Sequence, residues 1–208
     1  MKPQLYVDAQ YASPYALSVY VALTEKKIPF DLKVVDLDAG ENLRPEYRER
    51  SVTARVPMFV HDGFALSEST AITEYLEETY FPPRAPLVFP TKATERARAR
   101  QVQAWLRSDF MPIRQERPTS VIFFARTDAP LSDAARSAAD KLFAAADALV
   151  GPSGHLFDDW CIADTDLALM LNRLVLNGDG VPPRLADYAR SQWQRPSVQG
   201  WVQLPRPR

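Results

Sequence analysis

Between residues 81 and 90 the chain reads Phe-Pro-Pro-Arg-Ala-Pro-Leu-Val-Phe-Pro, with four prolines and neither a helical nor a strand period. Proline fixes its own φ, removes an amide donor and pushes the preceding residue toward extended backbone. No helix or central strand runs through such a segment, so it is a stiff connector and a domain boundary. Before it, strand and helix patterns alternate. After it, no strand pattern occurs. The 208 residues therefore read as an α/β domain over 1–81, a proline-rich linker over 82–92 and an all-helical domain over 93–208.

In the first domain, residues 4 to 8 (Gln-Leu-Tyr-Val-Asp) look like a short buried strand. Ser13-Pro14 follows, an N-cap with proline at the first helical position. Ala16, Val19, Tyr20 and Leu23 fall at i, i+3, i+4 and i+7, one face of a helix. Lys26 and Lys27 are expected in its last turn, where cations suit the helix dipole. Residues 30 to 36 read as a second strand, so the unit is a parallel pair with a right-handed crossover. Gly40 to Arg50 is polar and expected to hold a short or irregular helix. Val56 to Val60 and Phe64 to Leu66 flank His61-Asp62-Gly63, a hairpin signal. From Ser67 the pattern is helical again. Beyond the linker, Thr91 is expected to cap a helix through roughly Phe110. Further helices are expected near 132–149, after Asp164, near 184–193 and near 196–203.

Composition excludes several classes of function. Lys+Arg 25 against Asp+Glu 26 gives a net charge of -1, no electrostatic footprint for nucleic acid or an acidic membrane surface. A single cysteine, Cys161, cannot form an internal disulfide. No signal-peptide pattern opens the chain and no apolar run reaches spanning length. The expectation is a soluble cytoplasmic protein. There is no Cys-x-x-Cys, Gly-rich phosphate loop, metal-ligand cluster or Gly-x-Ser-x-Gly. His61 and His155 fall in expected loops, which places them at the surface. Cys161 opens an apolar helix and reads as packing.

Three short segments could carry chemistry, each with a plainer alternative. Val56-Pro57 opens a strand: with a cis bond, Val56 presents its N–H and C=O to a peptide laid along the edge, and with a trans bond it simply marks a strand start. Ser67-Glu68-Ser69-Thr70 comes off a strand into a helix. Its hydroxyls and first-turn amides could bind a carboxylate while Glu68 meets a neighbouring amino group, or Ser67 is an ordinary cap. Ser13 lies between a strand end and a helix N-terminus, the rim where α/β sheets tend to bind ligands, although Ser-Pro at a helix start needs no function to explain it. A thiolate there would gain from the hydroxyl and the helix field. Lowering a thiol pKa by about two units takes roughly 2.7 kcal/mol.

Together these pieces resemble, in order and along the whole chain, the cytosolic glutathione S-transferases. Ser13-Pro14-Tyr15 resembles that family's catalytic-serine region, Val56-Pro57 its cis-proline, and Glu68-Ser69-Thr70-Ala71-Ile72 its Glu-Ser-x-Ala-Ile motif. Ile162-Ala163-Asp164 is similar to its helix-capping motif, with Cys161 where the family has Ser or Thr. A thiol is a poor acceptor, so Asp164 or a neighbour must compensate. Residues 103–109 and 160–166 look particularly close to the bacterial YfcF-type enzymes.

The resemblance implies a thioredoxin-like glutathione domain (βαβ-α-ββα) followed by an all-α domain. It implies Ser13 as thiolate stabiliser; some classes use a tyrosine near the end of the first strand, for which Tyr6 and Tyr11 are the candidates, with Tyr11 the one to share the role. Val56 would pair backbone-to-backbone with the cysteinyl unit, and Glu68 and Ser69 would hold the γ-glutamyl amino and carboxylate groups. Arg44 would meet the glycine carboxylate, with Arg55 competing. Glutathione would be the bound co-substrate, without a metal, acting on a hydrophobic electrophile or an organic hydroperoxide. Tyr11, Trp105, Phe110 and Met111 are candidates for the electrophile pocket, and a homodimer is implied. A non-catalytic ligand- or protein-binding module is the alternative.

Overall fold

The computed structural model describes residues 1–207 and divides into two units: Met1–Val88 with the residues from Gln199 onward, and Phe89–Val198. The first is the thioredoxin-like domain and the second is all-helical, the fold read from the sequence.

In the first unit, β1 (Gln4–Asp8), β2 (Asp31–Val35), β3 (Met58–His61) and β4 (Phe64–Ser67) form one mixed sheet in the order β2-β1-β3-β4. β1 is parallel to β2, and β3 is antiparallel to both β1 and β4. Alternation along the strands sorts side chains onto two faces. Leu5 and Val7, with Phe59 opposite Leu5, are fully buried in the core. α1 (Pro14–Glu25) and α3 (Ser69–Thr79) pack against each other and bury Leu17, Leu23, Ile72 and Leu76. On the other strand parity, Tyr6, Met58, Val60 and Ala65 cluster with Val56 and with Tyr47 of α2 (Pro45–Arg48). Residues 41–43 form a 3₁₀ turn ahead of α2.

Three local expectations are corrected. α1 ends at Glu25, so Lys26 and Lys27 fall outside its last turn, and Lys26 is its buried C-cap. Its Nζ meets Glu77 Oε2 at 2.5 Å and donates to the Pro86 carbonyl at 2.9 Å, while the Val88 amide donates to the same carboxylate at 3.2 Å. The demand of a buried carboxylate for a cation outweighs the weak pull of the helix end. Second, α3 starts at Ser69, because Ser67 is held in the β4 ladder opposite Met58. Third, His61 ends β3 half-buried, with Nδ1 3.0 Å from the Tyr80 hydroxyl.

The second unit contains α4 (Ala93–Ser108), α5 (Met111–Glu116), α6 (Ser120–Phe123), α7 (Asp133–Leu149), α8 (Ile162–Val175) and α9 (Pro183–Trp193); α10 (Pro196–Val202) follows. No strand occurs among its described residues. α4 begins at Ala93 with Lys92, not Thr91, at the N-cap, and Phe110 caps α5 instead of ending α4. α8 is the core element, buried along nearly its whole length and packed by α4, α6 and α9. Its start answers the weak thiol cap. Asp164 accepts from the amides of Cys161 at 2.9 Å and Leu156 at 2.8 Å and from the Tyr188 hydroxyl at 2.9 Å. The Cys161 sulfur still accepts from the Asp164 amide, and burial raises the thiol's pKa, which suits packing rather than reactivity.

Breaking one side of a buried ion pair leaves a lone charge, at a cost of about 3–5 kcal/mol. Lys26→Met is therefore expected to destabilise the chain by about that amount in urea unfolding. Lys26→Met combined with Glu77→Leu should recover part of the loss, since no unpaired charge remains.

Candidate functional site

Strand register gathers three chain ends. Tyr6 of β1 lies opposite Met58 of β3, and Met58 opposite Ser67 of β4. β1 leaves the sheet two residues past this row, β3 enters on it and β4 leaves on it. Neighbouring strands lie about 4.8 Å apart, so the three ends span roughly 10 Å, the length of an extended tripeptide. Ser13, Val56-Pro57 and Glu68-Ser69 all follow or precede these ends by a few residues.

Asp8 controls where Ser13 falls. Its carboxylate, 6% exposed, accepts from the Ala12 amide at 2.7 Å and from the Ser13 amide at 3.0 Å. The turn also places Tyr11 at φ +48, a left-handed conformation that is uncommon for a bulky residue. Ser13 then caps α1, its Oγ accepting from the Ala16 amide at 3.2 Å. The Ser13 hydroxyl donates to no group among the described residues. A hydroxyl that already accepts is a better donor, and this one stands at a helix N-terminus. In the sequence Asp8 looks like the last residue of a strand; its signal as a site-setting residue is only that an aspartate four and five residues ahead of two turn amides is the kind of local acceptor that sets turns.

The Val56-Pro57 bond is cis, and Val56 is half-buried two residues before the paired row. The Asn42 amide group donates to the Ala54 carbonyl at 2.8 Å, and the Tyr47 hydroxyl donates to the Arg55 carbonyl at 2.9 Å. These bonds fasten the segment that carries Arg44 beside the lead-in to β3. Arg44 itself is largely exposed and 3.4 Å from Glu41, and Arg55 is exposed.

Glu68 sits at the α3 N-cap with φ +73 and ψ +114 and forms no side-chain cap. A non-glycine residue there stores about 1–3 kcal/mol of strain. The kink turns an exposed carboxylate and the buried Ser69 out of the strand end together.

Other candidates go elsewhere. Tyr6 donates its hydroxyl hydrogen to Gln4 and accepts from Arg50, whose guanidinium stands 5.2 Å from its ring, so it belongs to the α2 side of the sheet. Phe110 is fully buried with its ring edge against Trp105 at 4.5 Å, which makes it core. Trp105 also borders a cavity of about 330 Å³ within the helical unit, lined by Val102, Ala145 and Leu149 among others. Met111 is exposed. His61 is at the far end of β3 from the gathered residues. Among the described residues no group of three or more His, Cys, Asp or Glu is placed to hold a metal ion, and no helix is long and apolar enough to cross a membrane.

Two family descriptions match the chain: "Glutathione S-transferase, N-terminal domain" over residues 9–84 and "Glutathione S-transferase, C-terminal domain" over residues 92–206. A solved glutathione transferase homolog from Burkholderia, with bound glutathione, is 46% identical, covers 97% of this chain and 96% of its own, and superposes with a TM-score of 0.78. A probable maleylacetoacetate isomerase from Caenorhabditis elegans is 38% identical over 54% of this chain and 50% of its own length. The maleylacetoacetate isomerase of Dictyostelium discoideum is 32% identical over 71% and 66% respectively. The chain thus spans about half to two thirds of these curated relatives.

The strain at Glu68 gives a direct test. Glu68→Gly should raise unfolding stability by about 1 kcal/mol, the strain relieved less the added freedom of glycine in the unfolded chain. Glu68→Ala, which keeps a Cβ at positive φ, should give no such gain in the same denaturant titration.

Proposed function

The chain belongs to the glutathione S-transferase family, and on that premise we propose that it binds glutathione at the gathered strand ends and directs its thiol onto a second, electrophilic or peroxidic substrate. Glutathione supplies a sulfur that is nucleophilic when ionised. The protein's part is to hold the tripeptide and favour that ionisation.

The reading is carried by Ser13: a hydroxyl fixed at a helix N-terminus that accepts from Ala16 and has its own hydrogen to give. It donates to the sulfur. A hydrogen bond to a charged group is worth about 1.5–3 kcal/mol, and the helix terminus adds about 0.3–1 kcal/mol. At 1.36 kcal/mol per unit, this depresses a thiol pKa by roughly one to three units. Val56 offers its peptide groups to the cysteinyl backbone. Glu68 takes the γ-glutamyl amino group, and Ser69 with the first turn of α3 takes the carboxylate. Arg44 or Arg55 meets the glycine carboxylate. Tyr11 is the candidate to share Ser13's role.

Two chemistries compete for the second substrate. In transfer or peroxide reduction, glutathione is consumed. The relatives named maleylacetoacetate isomerase favour another: addition of the thiolate to an activated double bond and its expulsion after rotation, which returns glutathione unchanged. Stoichiometric loss of glutathione separates the two. The non-catalytic alternative predicts binding without turnover. Kinship with YfcF-type enzymes rests on residues 103–109 and 160–166, and a cytoplasmic homodimer is part of the same proposal.

Ser13→Ala should lower kcat about 10- to 100-fold with glutathione KM little changed, the loss expected for one charge-assisted hydrogen bond. It also removes the α1 cap, at about 0.5–2 kcal/mol of stability. Ser13→Thr keeps both cap and hydroxyl and should retain most of the turnover. Equal turnover in Ser13→Ala would move the role to Tyr11 or a backbone amide.

A further inference from the structure

Residues 199–207 belong to the first unit, and Trp201 and Arg206 among them reach the turn that carries Ser13. Trp201, fully buried, sets its ring edge-on against Tyr11 at 5.9 Å and packs against Tyr20 at 5.4 Å. The approach is close: a Cβ at Gly200 would stand 3.0 Å from the Tyr20 hydroxyl oxygen, tighter than an ordinary van der Waals contact. Beyond it, the Arg206 guanidinium folds back. Nη1 donates to the carbonyls of Val202 at 2.6 Å and Leu204 at 3.2 Å. Nη2 donates to the carbonyls of Trp201 at 3.2 Å and Tyr11 at 3.0 Å.

The bond to Tyr11 matters because of what holds the other side of the same peptide. The Tyr11 carbonyl and the Ala12 amide belong to one planar unit. Arg206 grips the carbonyl, and Asp8 accepts from the amide at 2.7 Å and from the next amide, Ser13, at 3.0 Å. A peptide plane fixed at both ends cannot rotate, which sets ψ of Tyr11. The Tyr11 amide, donating to the Asp8 carbonyl at 3.0 Å, holds the preceding plane. Together they keep the residue at its left-handed φ, a conformation that persists only where its surroundings over-determine it. Burial weakens the Arg206 guanidinium's hold on its proton, and the Asp8 carboxylate opposes that effect.

We propose that Arg206 and Asp8 are positioning residues that clamp the Tyr11–Ala12 peptide and so set the Ser13 hydroxyl for its sulfur partner. The reactive turn is thus locked by a segment 195 residues away in the chain. The claim rests on the glutathione reading for its chemistry but not for its mechanics, so two measurements are paired.

Amide exchange in the ligand-free protein reads the clamp. In Arg206→Ala, exchange at Ala12 and Ser13 should quicken about tenfold or more, while the β1–β2 ladder amides keep their rates. Kinetics read the positioning. The same variant should lose about tenfold in kcat, with glutathione KM within about twofold and ionisation of the bound thiol shifted toward that of free glutathione. Arg206→Lys keeps a charge but lacks the planar fork, and should fall between. Asp8→Asn, which keeps the side-chain shape, should reproduce both effects should Arg206→Ala prove too unstable to assay. Unchanged exchange at Ala12 and Ser13 overturns the clamp. Faster exchange with unchanged kcat and thiol ionisation reduces it to a structural contact and overturns the positioning role. A wild-type chain without an activated thiol sinks the functional reading itself, a result told apart because the exchange measurement needs no ligand.

Discussion

The row Tyr6–Met58–Ser67 is the constraint on which the site depends. One residue of slip between β1 and β3 would turn either Leu5 or Phe59, both buried, outward, so burial itself locks that register. With the register fixed, the exit of β1, the entry of β3 and the exit of β4 must meet at one end of the sheet. Ser13, Val56 and Glu68 are then near one another by topology, before any side chain is considered. A tripeptide laid across three strand ends can meet a hydroxyl, a backbone edge and a helix start in turn.

Register fixes where the ends come together, but finer placement falls to charges on backbone groups. Asp8 orients two amides and Arg206 a carbonyl, and together they hold a turn that contains a tyrosine at positive φ. The strained Glu68 is held differently, by β4 pairing on one side and α3 on the other. Elsewhere in the same unit, Lys26 and Glu77 fasten the end of α1 to α3 and to the linker through Pro86 and Val88. Four buried or half-buried ionic groups, Asp8, Arg206, Lys26 and Glu77, thus fix backbone that hydrophobic packing alone would leave free to choose among conformations.

Much of this was legible locally. Strand β1, the 58–67 hairpin and the helix capped by Ser13 follow from alternation, an Asp-Gly turn and Ser-Pro, all signals within a few residues of what they specify. The errors occurred where a distant partner overrode a local preference. Ser67 has the chemistry of a cap but is claimed by Met58 across the ladder, and Lys26 has the position of a dipole-facing cation but is claimed by Glu77. The short helices α5 and α6 have too few turns to show a period. Arg206 carried no local signal at all, since its meaning lies in a carbonyl near the other end of the chain.

The central claim is that these groups make a site where a thiol ionises easily. The most direct measurement is a pH titration of glutathione bound to the wild-type chain, following thiolate absorbance in the ultraviolet. An ionisation about one to three units below that of free glutathione is expected. Binding with an unshifted ionisation, or no binding at all, would contradict it.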